Sequence, residues 1–78
     1  MAHPDPLLRV QVIFDEIIVS WPGSSYSVVY YKPDNSPQLL SRGIPLRDDL
    51  RFPITAGDFL AKAWKLANAK ARELGWIV

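Results

Sequence analysis

The stretch Arg9–Gly23, RVQVIFDEIIVSWPG, decides how this chain is read. It is an almost unbroken apolar run holding two adjacent carboxylates, Asp15 and Glu16. Placed at about 100° per residue, Leu7, Val10, Ile13, Phe14, Ile17, Ile18 and Trp21 fall on one continuous helical face. Asp5 followed by Pro6 offers an N-cap and a first-turn proline, and Trp21-Pro22-Gly23 offers a stop. A second pattern runs through the same residues. Leu8, Val10, Val12 and Phe14 alternate with Arg9, Gln11 and Asp15, the phase slips at Asp15–Glu16, and Ile17, Val19 and Trp21 resume it. Such a slip needs a bulge or a tight hairpin. The abundance of Val and Ile favours strands, whereas periodicity and end signals favour a helix. We take the helix as the working reading and keep two strands as the alternative.

Adjacent residues point about 100° apart on a helix and to opposite faces of a strand, so Asp15 and Glu16 converge on no common substrate in either case. They are expected to be solvated carboxylates. Asp48–Asp49, flanked by Arg47 and Arg51, reads as a charged surface loop. His3 is the only histidine and lies in an N-terminal segment, residues 1–5, expected to fray. Without cysteine, thiolate zinc sites and disulfides are excluded, and with one terminal histidine a His-based nucleophile system has no footing. The glycines never approach a phosphate-loop spacing. No enzyme activity, cofactor or metal site is expected.

Downstream, Ser25–Lys32 (SYSVVYYK) is rich in β-branched and aromatic residues and ends at Pro33, and KPDNSP has turn composition. Gln38–Ile44 is a returning strand. Arg51–Ile54 could add a third, confined to an edge by Pro53. A helix is expected over residues 56–74, with Thr55 and Asp58 in a capping-box-like arrangement and Gly75 as the left-handed C′ residue. Its apolar stripe is Leu60, Ala63, Trp64, Ala67, Ala71 and Leu74, with Trp64 filling the gap beside the alanines. The expected architecture is a single small α+β domain over 1–78. It has two layers, an antiparallel sheet of two or three strands covered by the long C-terminal helix. An N-terminal helix gives the order α-β-β-(β)-α, with β-β-β-α as the alternative.

Hydrophobic residues make up 49% of the 78, generous for a chain whose small size leaves much of its surface outside. The formal net charge is +1, too weak a field to gather a polyanion, so nucleic-acid binding is not favoured. Residues 1–35 carry a balance of −2 and the remainder +3, which suits an antiparallel pair of subunits. A homodimer is therefore expected. Its candidate surface is Leu8, Val12 and Val19, outside the core face of the N-terminal helix, with Phe59 and Leu66, outside the stripe of the C-terminal one. A different class of function, weak nucleotide or nucleic-acid binding, would use Trp21, Tyr26, Tyr30, Tyr31 and Arg42 as a stacking face. MAHPDPLLRV carries no basic leader with an apolar core, and no apolar run reaches membrane-span length. A cytoplasmic protein acting by self-association or by binding a protein partner is the expectation.

Overall fold

The computed structural model describes residues 8–78. These form four strands and one helix: β1 Arg9–Ile13, β2 Glu16–Ser20, β3 Ser27–Tyr31, β4 Leu40–Arg42 and α1 Ala56–Glu73. The strands make one antiparallel sheet in the order β1-β2-β3-β4, each beside its neighbour in sequence. α1 lies across one face, over β2 and β3. The α+β class with an antiparallel sheet under a C-terminal helix is present. Where the N-terminal helix is expected, residues 9–20 form two strands, and among the described residues the sheet has four strands rather than two or three.

The deciding stretch is a hairpin. Val10, Val12, Ile13, Ile17, Ile18 and Val19 are β-branched, which restricts χ1 in a helix and packs well on a pleated surface. The phase slip at Asp15 is the hairpin turn itself. Phe14 and Asp15 form a two-residue link, with Phe14 at φ 55°. A left-handed φ suits the twist of such a hairpin but costs an aromatic residue on the order of 1 kcal/mol. Val10 pairs with Val19 and Val12 with Ile17, so these four side chains share the helix-facing side. The proposed cap at Asp5–Pro6, together with Leu7 and His3, lies outside the described residues. Arg51–Ile54 forms a turn and bends, not a strand.

Ile17, Val19, Val28 and Tyr30 on the sheet bury themselves against Phe59, Ala63, Ala67 and Ala71 on the helix. The alanines bring the helix axis close to the sheet, and Phe59 fills the space at one end. Its ring stacks on Tyr26 with centroids 5.2 Å apart and planes at 16°. Phe59 thus holds the place expected of Trp64, whose side chain is 43% exposed. The physical reason is a rotation of the stripe. Its middle is set by Ala56, Phe59, Ala63, Ala67 and Ala71, and Trp64 stands about 80° to one side of it. Leu74, also expected in the stripe, is the exposed C-cap residue.

Both helix ends close as their sequences imply. The Thr55 hydroxyl accepts a hydrogen bond from the Asp58 amide at 3.1 Å. Gly75, at φ 78°, ends the helix in a Schellman arrangement. The Trp76 amide donates to the Ala71 carbonyl at 2.8 Å, and the Gly75 amide donates to the Arg72 carbonyl at 3.1 Å. Trp76 then packs back against the core.

The segment between β4 and α1 is tied down by polar groups that sequence reading placed in solvent. Asp49 is buried. Its carboxylate accepts from the Ser25 amide at 2.9 Å, and from the Arg51 guanidinium at 3.0 Å through Nε and 2.9 Å through Nη2. The hydrogen bonds from the Arg51 side chain, then that from the Ser25 amide, hold the Asp49 carboxyl well below the usual carboxylate range. Asp48 accepts from the Ala56 amide at 2.8 Å, satisfying one open donor at the helix N-terminus. The Tyr26 hydroxyl donates to the Ile54 carbonyl at 2.6 Å and accepts from the Asp49 amide at 2.7 Å. Asp48–Asp49 is therefore a latch between loop, sheet and helix.

Candidate interaction surface

The expected five-residue surface divides in two. Val19 and Phe59 are fully buried core residues and present nothing to a partner. Val19 lies on a central strand instead of a helix, and Phe59, about 60° from the midline of the stripe, turns its ring onto Tyr26. Leu8, Val12 and Leu66 lie outside the buried core. Leu8 and Leu66 are half-buried against the margin of the core, and Val12 is 41% exposed. Trp64 meets Tyr30 of β3, with ring centroids 5.8 Å apart. Leu66 stands about 80° to the other side of the helix midline, and so looks toward β1.

β1 is the long edge of the sheet, and among the described residues nothing pairs with its outer side. Ile13 and Glu16 flank a two-residue turn, which makes them a hydrogen-bonding pair. By alternation Arg9, Gln11 and Ile13 aim their backbone groups at β2, while those of Val10 and Val12 point outward. Natural edges are usually shortened or guarded by charge, proline or bulges. β4, the other edge, follows that rule: it has three residues, includes Arg42, and runs into Gly43 and Pro45. β1 has five residues, and its only charge is Arg9 at one end. Beside it the hairpin tip exposes Phe14 almost completely, at 95%.

The expected stacking face does not assemble. Tyr26 and Tyr30 are buried: Tyr30 lies opposite Ile17 and shares its helix-facing side, and the Tyr26 ring stacks on Phe59 of α1. Burial pushes the Tyr30 phenol up to about 12. Trp21 is half-buried and leans on Phe52, with ring centroids 6.0 Å apart. Only Tyr31 and Arg42 meet on the open face of the sheet, where the Arg42 guanidinium lies 5.2 Å from the Tyr31 ring centroid. Glu16 ion-pairs with Arg42 on that face, whereas Asp15 sits at the exposed turn. The two acids are thus held apart.

A groove of about 640 Å³ runs along the outer side of α1. Trp64, Lys65, Asn68 and Arg72 line one wall, and Pro37, Gln38, Ile77 and Val78 complete it. An indole beside two cations can hold a flat anionic group by stacking and charge. The sequence pattern points Trp64 into the core and so gives no sign of this groove. Among the described residues no cluster of three His, Cys, Asp or Glu side chains could hold a metal, and no helix is long and apolar enough to cross a membrane.

Fold and surface define a small meander-sheet α+β domain in which, among the described residues, nothing pairs with the outer side of β1. Compared with protein-family models, curated proteins and solved structures, the chain matches none.

Proposed function

We propose that this chain is a non-catalytic cytoplasmic domain that works by binding protein, in the first place a second copy of itself. The observation that carries this reading is the outer edge of β1, which nothing pairs with among the described residues, together with the half-covered side chains of Leu8, Val12 and Leu66. An open edge is a template for another strand, and apolar flanks add the burial that strand pairing alone lacks. The separation of Asp15 from Glu16 and the structural use of Asp48 and Asp49 support the absence of acid–base chemistry. Lack of cysteine fits a reducing compartment. Light scattering behind a sizing column tests the proposal. The mass should rise toward two chains as protein concentration increases, and Val12→Glu or Leu66→Glu should return it to one. A single-chain mass at every concentration would remove self-association.

The groove at Trp64 supports a second reading, weak binding of a nucleotide or short single-stranded nucleic acid through stacking on the indole, with Lys65 and Arg72 on the phosphates. A labelled oligonucleotide followed by anisotropy at two salt concentrations separates the two. Phosphate-directed binding weakens as salt rises.

A further inference from the structure

We propose that two copies join by antiparallel pairing of β1 with β1 of the second copy, with Gln11 on the two-fold axis. The proposal rests on the self-association reading above and fixes its geometry. Residues opposite one another in an antiparallel pair point to the same face, so a symmetric pairing must be centred on a residue. Of the possible centres, Gln11 alone lets all five residues of β1 find partners in β1 of the other copy. Arg9 then stands opposite Ile13, and Val10 opposite Val12.

Three features agree on this register. Val10 and Val12 are the residues whose backbone groups point outward, and here they face each other as hydrogen-bonding pairs. Their side chains lie on the helix-facing side, so four valines floor a valley between the two helices, with each Leu66 on its wall. Arg9 comes diagonal to Asp15 of the second copy, and both are exposed, so opposite charges meet twice across the axis.

The same register places Phe14 of one copy opposite Leu8 of the other. This gives a reason for an aromatic residue at a hairpin position with φ 55° and 95% exposure, where glycine would be free of strain. Held out from its own domain, the ring is an anchor for the neighbouring copy. A five-residue edge with one anchor on each side is a small interface, at the low end for specific complexes, so micromolar affinity is expected.

Single-cysteine variants test the register cleanly, since the chain has no cysteine of its own. Residues on the axis at a non-hydrogen-bonded pair stand about 4.5 Å apart at Cα, within reach of a disulfide. Mild oxidation of Gln11→Cys should give a covalent dimer on a non-reducing gel. Arg9→Cys and Ile13→Cys should each stay monomeric alone and cross-link when mixed. Phe14→Gly should keep the fold and raise the dimer Kd roughly tenfold or more, as loss of an aromatic anchor does. A dimeric mass by light scattering without the Gln11→Cys cross-link, or with Phe14→Gly binding as tightly as the parent, overturns this register and leaves self-association standing. A single-chain mass throughout overturns both.

Discussion

Val19 and Val12 are the same residue on the same face of the same sheet, and they live differently. Val19, on β2, is wholly enclosed by β3 and α1, while Val12, one strand outward on β1, is 41% exposed. The sheet centre and its long edge have similar sequences, EIIVS and SVVYY against RVQVI, so composition does not make the difference. What differs is the helix, which covers two strands and stops short of the outermost one. A single helix of alanine-lined width serves only part of a four-stranded sheet. Stability should therefore reside in the covered part and binding in the bare one.

The largest effect that could break this division is removal of the cover. Phe59→Ala should cost about 3–5 kcal/mol, since it empties the end of the core and unstacks Tyr26. Trp64→Ala, on the outer flank of the same helix, should cost only about 1 kcal/mol because half its surface is already in water. Urea unfolding of the two variants side by side checks both, and equal losses would mean the stripe has been placed wrongly.

A finer cut compares the two valines directly. Val19→Ala should destabilise by about 2 kcal/mol, and Val12→Ala by less than about 1 kcal/mol in dilute solution where single chains dominate. Thermal melts at low protein concentration give the answer. If Val12→Ala is the more damaging, the edge is part of the core after all.

The mildest effect is expected from acid, acting on the latch that closes the covered side. Asp49 is held below its ordinary carboxylate range by Arg51 and Ser25, so folding favours its ionised form. That contribution is complete above the unfolded value, about 3.9, and fades as pH falls through the lower folded one. The melting temperature should therefore drop between about pH 4 and pH 2. Asp49→Asn should begin lower at neutral pH and lose that part of the slope. A parent and variant with parallel pH profiles would show that the latch does not titrate with folding.

Much of this division could be read from the residues alone. The C-terminal helix declared itself through Thr55, Asp58 and Gly75, because capping chemistry is local and its partners lie within a turn. β3 was equally plain from its valines and tyrosines. Arg9–Ser20 was not, because a two-residue turn shifts an alternating pattern by just enough to imitate helical periodicity. Phe14 gave no turn signal, since glycine or asparagine is the usual occupant of a left-handed position. Asp49 was hidden for a different reason. Its partners Ser25 and Tyr26 are more than twenty residues away, and only the assembled fold shows that a charged loop residue is buried. For the surface, Leu8, Val12 and Leu66 lie outside the buried core, although the helix that singled out Leu8 and Val12 is replaced by strands. Val19 and Phe59 were mistaken with them, since a wrong helix at one end and a rotated stripe at the other moved core residues outside.

The strand order has a consequence in time. Every strand lies beside its neighbour in the chain, and β1 and β2 are joined by two residues. The ends that must meet are never far apart, so little loop-closure entropy is lost before pairing is rewarded. The docking of α1 onto β2 and β3, and the latch that ties Asp49 and Ile54 to Ser25 and Tyr26, bring distant parts of the chain together. Refolding should accordingly be quick for a protein rich in sheet, nearer the pace of mixed α/β domains than of sandwiches or barrels.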